Sequence, residues 1–334
     1  MSASIQPNYS LNTVDILIIG AGLAGLSAAN DLKRAGKNVL VVDKGRGLGG
    51  RLAGRRIGDA TFDHGAQFMT TRNPRFQDTV AEWVKAGVAE EWYSSYPGNE
   101  NGHPRYRGVP TMTAIAKTMA TDITILRSVR ALTLSQHNHQ WLTTLDNGQK
   151  VLAKSLLITA PIPQSIDLLA SGNIQIPAAK QTRLDRIEYE ACIAVMAVLE
   201  NSSAIPAPGA IAIEDGPIAW ISDNQQKGVS TTPAVTIHGS AEFSAEHFEQ
   251  DHQTVGQLLI DAAQPLLNAN VTEFQVHGWR YSKPSVVDPE PCMLLSEGTD
   301  LPPLALAGDA FNGPRVEGAV VSGWAAAKVL AGLV

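Results

Sequence analysis

Residues 15–26 read DILIIGAGLAGL, and this stretch decides the fold. After Asp15, residues 16–19 form a short, continuous apolar run rich in isoleucine, which is typical of a strand buried in a parallel sheet. From Leu23 to Leu32 apolar residues recur at helical spacing, and Gly36 can end the helix. Residues 38–42 read NVLVV and form a second candidate strand. The sequence therefore predicts a β-α-β unit.

Three glycines have the spacing GxGxxG between the predicted strand and the predicted helix: Gly20, Gly22 and Gly25. In that context the first permits a tight turn, the second lets the backbone approach a pyrophosphate, and the third lets helix and strand pack closely. Free N–H groups at the start of the helix, near Leu23 and Ala24, would face the anion. The pattern predicts a dinucleotide site, and the alternative is a glycine-rich structural turn.

Charged residues follow the second strand. Asp43 closes that strand eighteen residues after Gly25, where a carboxylate can accept hydrogen bonds from ribose hydroxyls. Residues 44–51 read KGRGLGGR and place Lys44, Gly50 and Arg51 in a flexible cationic loop. Such a loop is consistent with a longer dinucleotide held on both flanks. The alternatives are a surface aspartate and a solvated basic loop.

A second set of candidates lies further along the chain. Residues 63–68 read DHGAQF, and residues 314–323 read PRVEGAVVSG after Gly308 and Asp309. A carboxylate after a strand can bind polyol hydroxyls, and a glycine-rich helix start can offer N–H groups to an electron-rich ring carbonyl. Small residues on a helix can also serve close packing alone.

The middle of the chain has a different pattern. Between residues 123 and 160 the hydrophobic period is two and residues 146–148 read DNG, so we expect an antiparallel meander that runs into a buried strand at 156–160. Extended segments and one helix then predict a separate α+β domain. The segments are 192–199, 218–222, 235–238 and 274–279, and the helix is 244–267. A strand at 304–308 and a helix at 318–333 complete the chain.

These patterns predict an α/β fold with two domains, as the length of 334 residues also suggests. Residues 1–75, 105–165 and 288–334 would form a discontinuous Rossmann-type dinucleotide-binding domain. Residues 76–104 and 166–287 would form an inserted α+β substrate domain. The first fourteen residues are expected to be a loose lead-in.

Composition argues against several classes of function. There are 26 Lys and Arg against 32 Asp and Glu, with no basic block, so nucleic acid or an anionic membrane is not an expected partner. The most apolar stretch, residues 16–29, is shorter than the roughly 20 residues of a bilayer span. Cys192 and Cys292 form no CxxC, which fits a reducing cytoplasm. No metal site is predicted, because His247 and His252 are poorly spaced for two ligands on one helix face.

The glycine and acid motifs together resemble a known family. GxGxxG with Asp43, GGR ending at Arg51, and Gly308-Asp309 followed by EGAxxSG are similar to the FAD domain of flavin amine oxidases, carotenoid desaturase-type enzymes and their relatives. More narrowly, four features resemble the renalase group. They are DHGAQF at 63–68, WISDN at 220–224 with Lys227-Gly228, His238, and GWRY at 278–281.

The resemblance implies a two-domain fold of the hydroxybenzoate-hydroxylase type with non-covalent FAD roofed by the second domain. By that likeness Asp43 would bind the adenosine ribose, Arg51 the pyrophosphate, Val129 the adenine-side backbone, Asp309 the ribityl chain, and Gly318 with Ala319 the pyrimidine carbonyl. Ala66, Gln67, Gly308 and Glu317 belong to the same cofactor motifs. Such enzymes oxidise the 2- and 6-dihydro isomers of NAD(P)H to NAD(P)+ and reduce O2 to hydrogen peroxide.

The residues themselves are compatible with that chemistry. Hydride transfer needs an oriented donor carbon and a dry site more than acid–base groups. Trp220, Trp279 and Tyr281 are suitable stacking walls, Asn224 and Gln67 could hydrogen-bond a carboxamide, and His238 and Arg280 could hold its polar parts. For each of these a core or surface role is the alternative.

Other functions stay open on the sequence. With one GxGxxG, a separate nicotinamide coenzyme site is not visible, so a nicotinamide compound would have to enter the substrate pocket as the substrate. Neither cysteine lies in the C-terminal glycine motif, which disfavours a cysteine-linked flavin. The rival functions are a flavin amine oxidase or desaturase and, in another class, a non-catalytic or sensory flavoprotein.

Overall fold

The computed structural model describes residues 11–94, 102–311 and 313–334. In chain order its strands are β1 (Leu11–Ile19), β2 (Val39–Asp43), β3 (Gly54–Ile57), β4 (Ala60–Asp63), β5 (Ala89–Tyr93), β6 (Arg105–Gly108), β7 (Ile125–Arg127), β8 (Ala131–His137), β9 (Gln140–Leu145), β10 (Lys150–Ile158), β11 (Glu188–Leu199), β12 (Ala210–Ala212), β13 (Ile218–Asp223), β14 (Ala234–Gly239), β15 (Val271–Val286), β16 (Met293–Leu294) and β17 (Leu304–Leu306). The helices are α1 (Leu23–Arg34), α2 (Pro74–Lys85), α3 (Thr113–Met119), α4 (Ile162–Ser171), α5 (Ala178–Leu184), α6 (Ala241–His247), α7 (His252–Leu267) and α8 (Val316–Ala331), with a short 3-10 turn at Gly50–Leu52.

The first sheet confirms the predicted β-α-β unit. Strands β17, β10, β1, β2 and β7 lie side by side in parallel, and β16 adds an antiparallel edge to β17. Helix α1 connects β1 to β2, and Gly36 follows it with a φ of 77°. Because the carboxyl ends of parallel strands share one edge, residues just after β1, β2, β10 and β17 come together there.

The hairpin at residues 146–148 and the antiparallel meander around it are also confirmed, and only β7, at the start of this stretch, pairs in parallel instead. Strands β8, β9 and β10 form antiparallel pairs. Strand β10 is continuous and also pairs in parallel with β1, while β7 pairs in parallel with β2. Short alternating strands read alike in both settings, because the side-chain period of two does not depend on strand direction.

Two apolar cores cover the faces of this sheet. One contains Ile16 and Ile18 of β1 together with α1 and α8, and the other contains Leu17 with the β8–β9 hairpin. Phe76, Val80 and Trp83 of α2 belong to the first core. The predicted boundary placed residues 76–104 in the second domain, whereas the apolar face of α2 packs on the first sheet. The domain boundaries as a whole stay a prediction.

The second sheet has the order β12-β13-β14-β11-β15. Each predicted extended segment of the middle region is found in it. The single predicted helix 244–267 is instead two helices, because Ser240 caps α6 through Phe243 N and Asp251 caps a new helix, α7, through Thr254 N. Both pack on the apolar face of this sheet, around Val195 and Ile237.

Two further expectations concern the ends of the chain. Strand β1 begins at Leu11, so residues 11–14 are not a loose lead-in; residues 1–10 lie outside the described residues, as do 95–101 of the predicted second domain. Helix α8 begins at Val316, two residues before the predicted start. Within the described residues no helix combines the length and hydropathy of a membrane span.

Candidate functional site

A cavity of about 1540 Å³ lies between the two sheets. Its floor is the carboxyl edge of the first sheet, with Gly20, Asp43, Thr159 and Gly308, and its roof is the second sheet. We call it the intersheet cavity. Ordinary small-ligand pockets have volumes of about 300–1,000 Å³, so this one has room for a dinucleotide and a second molecule.

The glycine turn has the geometry that the sequence predicts. Gly20 has a φ of 114°, which glycine tolerates. A Cβ on Gly25 would lie 2.0 Å from Gly20 O, so only glycine lets α1 approach β1 this closely. Gly22 lines the intersheet cavity, and a Cβ there would meet nothing within 4 Å. Helix α1 begins after Gly22 without a side-chain cap, which leaves its first N–H groups to the cavity.

Asp43 organises the loop around this turn. Its Oδ2 accepts a hydrogen bond from Ala21 N and its Oδ1 one from Gly45 N, both at 2.6 Å. Val129 N–H donates to Asp43 O at 3.0 Å, and Lys44 Nζ donates to Gln164 Oε1 at 2.9 Å. Asp43, Lys44 and Val129 all line the cavity, as do the candidates Leu23, Ala24, Gly50, Ala66 and Ala319. Their roles toward a cofactor stay predictions.

Arg51 joins three segments at the centre of the cavity. Its guanidinium binds the Asp309 carboxylate with two bonds of 2.7 and 2.6 Å, and its Nη1 donates to Ser282 O at 3.0 Å. The carboxylate raises the pKa of Arg51 despite burial. The two residues predicted to hold a pyrophosphate and a ribityl chain are therefore adjacent, and the pair also contacts the roof.

The roof presents a polar and aromatic face. Across the strands Trp220 lies opposite His238, His238 opposite Ala194, and Ala194 opposite His277. Because successive strand residues alternate between faces, their neighbours Ile221, Ile237, Val195 and Val276 face the helices. The indole Nε1 of Trp220 is buried without a hydrogen-bond partner in the described part of the chain, so a bound molecule or ordered water would have to satisfy it.

One carbonyl fixes two roof residues. His64 O accepts hydrogen bonds from Trp279 Nε1 at 2.9 Å and from His238 Nε2 at 3.2 Å. The His64 ring stacks on Trp279 with centroids 5.2 Å apart. Burial lowers the pKa of His64 to about 3 and that of His238 to about 4, so both rings are neutral near pH 7.

A buried ion pair lies beside this cluster. Lys227 Nζ is 2.9 Å from Asp63 Oδ2, and both side chains have no exposed surface. Burial lowers the pKa of Lys227 and the Asp63 charge opposes that shift. Lys227 also donates to Gln67 Oε1 at 3.2 Å, and its ammonium lies 4.9 Å from the centre of the Trp92 ring. The pair links β4 to the loop after β13.

Three residues predicted to contact the substrate have polar groups with other partners in the structure, and their substrate roles stay predictions. The Gln67 amide lines the cavity, but it accepts from Ser222 Oγ and Lys227 Nζ and donates to two backbone carbonyls, so its hydrogen-bonding capacity is used. Asn224 is fully buried outside the cavity and donates to Thr236 Oγ1. Arg280 is among the residues that line the cavity, but its guanidinium packs over Phe248 and pairs with Glu249.

Three cofactor candidates, Gly25, Glu317 and Gly318, do not line the cavity. Gly25 serves helix packing, as shown above. Gly318 lies in the first turn of α8, where a Cβ would lie 2.0 Å from Gly313 O. Glu317 is buried and accepts hydrogen bonds from Arg72 N at 2.7 Å and Asn73 N at 2.6 Å. The two glycines allow close packing behind the cavity wall, and the Glu317 carboxylate is bound to backbone N–H groups.

Trp220, Trp279, Tyr281 and His238 do line the cavity, as predicted candidates for a substrate site. Sequence reasoning missed the roles of Asp63, His64, Lys227 and His277. The motif DHGAQF and the pair Lys227-Gly228 contained three of them. Lysine is almost never fully buried unless it is paired, so a lysine in the middle of the predicted substrate domain could have indicated an ion pair with an acid such as Asp63.

The charges around the cavity are unequal. Arg280 aside, the described lining residues include six cations and three acids. The cations are Lys44, Arg51, Arg72, Arg130, Lys283 and Arg315, and the acids are Asp43, Asp167 and Asp309. No Asp or Glu from the described roof strands lines it. The whole chain has a net charge of −6, so the lining residues differ in charge from the rest of the protein, and an excess of cations in a cavity favours an anionic molecule.

Comparisons with known proteins agree with this architecture. A profile of NAD(P)-binding Rossmann-like domains matches residues 18–83, and one of flavin containing amine oxidoreductases matches residues 83–331. A probable flavin-containing monoamine oxidase A of Dictyostelium discoideum is 44% identical over 55 residues, which is 16% of this chain and 12% of that protein. The alignment thus spans a small part of that relative.

Two solved structures are similar over nearly their whole length. Wild-type putrescine oxidase bound to putrescine has a TM-score of 0.72 at 14% identity, covering 96% of this chain and 100% of that one. Cyclohexylamine oxidase from Brevibacterium oxydans IH-35A has a TM-score of 0.70 at 14% identity, covering 96% and 99%. At this identity the likeness concerns the fold alone.

Proposed function

Because the chain belongs to the flavin containing amine oxidoreductase family, we propose that it is an FAD-dependent oxidase that acts on 2- or 6-dihydro isomers of NAD(P)H. The products would be NAD(P)+ and hydrogen peroxide. The dihydronicotinamide loses a hydride, and O2 takes up its two electrons with the transferred proton and one further proton.

The residues of the floor fit non-covalent FAD. Gly22 leaves open space where a side chain would stand, and the uncapped start of α1 supplies N–H groups for a pyrophosphate. Arg51 and Asp309 would hold the centre of the cofactor, and Asp43 the adenosine side. Both free cysteines have thiol pKa values raised by burial, Cys192 to about 12 and Cys292 to about 11, which disfavours a thiolate link.

The roof would orient the substrate. Bound flavin supplies a two-electron acceptor for a hydride and a route for these electrons to O2. Trp220 and Trp279 provide flat walls for a nicotinamide ring, the neutral His238 adds polar surface without an ionic charge, and burial lowers the pKa of His277 as well. No side chain has to remove a proton from the reacting carbon, since a hydride leaves it.

The charge of the cavity supports this substrate class most directly. A dihydronicotinamide dinucleotide is an anion, cations outnumber acids among the described lining residues, and the described roof strands contribute no lining acid. An amine substrate is a cation near pH 7 and would meet repulsion there. A polyene would gain nothing from these charges.

The test is anaerobic stopped-flow absorbance of the FAD-loaded protein. We expect 2- or 6-dihydro-NAD(P) to bleach the flavin rapidly and NAD(P)+ to form in equal amount. Absence of bleaching by either isomer at any concentration would remove the substrate assignment and leave FAD binding standing.

Amine oxidation is the second candidate, and two observations favour it. The solved amine oxidases share the fold, and Phe68 and Trp220 form an aromatic pair at the cavity with centroids 5.6 Å apart. Aromatic walls can hold an amine next to a flavin. The same stopped-flow experiment with putrescine and cyclohexylamine separates the two functions, since bleaching by an amine alone would reverse our ranking.

A further inference from the structure

Two arginines at the rim of the intersheet cavity have guanidinium groups without a partner in the described chain. Arg72 and Arg315 both line the cavity and are exposed. By contrast, Lys44, Arg51 and Lys283 are bound to Gln164, Asp309 and Glu190. A third unpartnered arginine, Arg130, lies near Lys44 at the far end of the cavity. Apart from Arg130, the cations of the cavity lining without a described side-chain partner, Arg280 being paired with Glu249, are therefore Arg72 and Arg315.

The buried carboxylate of Glu317 joins the backbone segment of Arg72 to the start of α8, where Arg315 lies. Glu317 Oε1 accepts hydrogen bonds from Arg72 N at 2.7 Å and from Asn73 N at 2.6 Å. Arg315 precedes Glu317 by two residues and stands at the start of α8. No ion pair joins Glu317 to either guanidinium, so the acid fixes the position of the segment without neutralising the arginine side chains.

This pair is separate from the predicted pyrophosphate cradle, and Arg72 is close in the chain to a residue that contacts the roof. Arg72 follows Phe68 by four residues, and Phe68 contacts Trp220 of the roof. The cradle predicted for the pyrophosphate of FAD is made by different residues, namely Gly20, Gly22, Gly50 and Arg51. The next arginine, Arg75, is already satisfied by Asp31 and by stacking on Trp324.

We propose that Arg72 and Arg315 form an anion site that binds a phosphate group of the substrate. The proposal rests on the proposed function, because it takes the substrate to be a dihydronicotinamide nucleotide. Guanidinium groups bind phosphate oxygens with paired, charge-assisted hydrogen bonds. The exposed rim lets the product leave, and the site makes the enzyme prefer phosphorylated nicotinamides over the riboside.

The test compares three forms of one dihydronicotinamide isomer: the riboside, the mononucleotide and the dinucleotide. The variants are Arg72→Gln, Arg315→Gln and the double substitution, with Arg186→Gln as a matched control at an exposed arginine outside the cavity. For the phosphorylated forms kcat/KM should fall about fivefold in each single variant and about twentyfold in the double variant. The loss should appear in KM, and the riboside should be unaffected.

Each outcome has a separate meaning. If the ratio of kcat/KM for the phosphorylated forms to kcat/KM for the riboside is unchanged in the double variant, the anion site is overturned and the proposed function is left intact. Oxidation of none of the three forms by the unmodified enzyme would overturn the proposed function and the anion site with it. FAD affinity, measured by flavin fluorescence, should stay constant; a weakened FAD affinity with a constant substrate ratio would assign the arginines to the cofactor and overturn the proposal.

Discussion

At the scale of single residues, Lys227 is a fully buried charged group whose burial costs free energy. A lysine without exposed surface keeps its charge only because Asp63 lies 2.9 Å away and Gln67 accepts a further bond. A pair of this kind contributes little net stability compared with apolar side chains, but removal of one partner leaves a buried charge alone. The same pair contacts Gln67 at the cavity wall and joins β4 to the loop after β13 of the roof.

Lys227→Met should therefore lower the free energy of unfolding by about 3–5 kcal/mol. The double variant Lys227→Met with Asp63→Asn should lose less, because no buried charge remains unpaired. Urea unfolding measures both, and Lys328→Met at an exposed site is the control. A loss in the double variant equal to or greater than that of Lys227→Met would contradict the ion-pair account.

The buried histidines predict a pH dependence of stability. The folded pKa values of His64 and His238, about 3 and about 4, lie below the value of about 6.5 in an unfolded chain. The unfolded state thus binds more protons, and stability falls as the pH drops below about 6.5. Between pH 7 and pH 5 each histidine should cost about 2 kcal/mol.

Urea unfolding at the two pH values checks this effect. His238→Gln should reduce the difference in stability between pH 7 and pH 5, whereas His137→Gln at the exposed end of β8 should leave it unchanged. An equal pH dependence in all three proteins would show that His238 does not titrate as its burial implies.

At the scale of elements, close helix packing explains why glycine recurs in α8. A Cβ on Gly323 would lie 2.2 Å from Ala24 O and 2.1 Å from Ser27 Oγ of α1. Ser27 Oγ in turn donates to Val320 O at 3.0 Å. The contact between the two helices therefore holds the glycine turn of the cavity floor against the carboxy-terminal part of the chain.

Gly323→Ala should destabilise the protein by about 1–3 kcal/mol, because the methyl group forces α1 and α8 apart. Gly332→Ala at the exposed end of the same helix, where the nearest atom to a Cβ is 3.6 Å away, should be tolerated. Thermal unfolding of the two variants compares them directly. Equal stability would mean that the helices separate without cost.

The sequence predicted most elements and a part of the site, for reasons that the structure makes clear. The β-α-β unit and its glycines follow from local periodicity and local backbone needs. The break between α6 and α7 needed the capping bonds of Ser240 and Asp251, which an apolar pattern does not show. Asn224, Gln67 and Arg280 bind partners that are more than thirty residues away in the chain. The sequence does not show such partners, so the prediction of substrate contacts for these residues rested on residue type alone.

At the scale of the whole molecule, the charges are divided between the cavity and the rest of the surface. The chain has a net charge of −6, while cations outnumber acids around the cavity. A cationic cleft in an acidic protein concentrates field lines and attracts an anion against the overall charge. This distribution favours a nucleotide substrate over an amine.

The kinetics should therefore depend on salt. Between about 10 mM and about 500 mM salt, kcat/KM for a dihydronicotinamide dinucleotide should fall severalfold, because the Debye length shortens from about 30 Å to a few ångströms. The uncharged dihydronicotinamide riboside is the matched control and should show little change. If kcat/KM fell by the same factor for both compounds, the salt effect would not come from attraction between the cavity cations and an anionic substrate.

The central claim is that the intersheet cavity binds FAD, and equilibrium titration of the flavin-free protein with FAD tests it most directly. Gly22→Glu is the decisive variant, because its side chain fits without a clash at Cβ but places a negative charge in the pyrophosphate cradle. Gly332→Glu carries the same charge outside the cavity. We predict that the unmodified protein and Gly332→Glu bind one FAD per chain and that folded Gly22→Glu binds none. Failure of the unmodified protein to bind FAD, or equal binding by Gly22→Glu, would contradict the account.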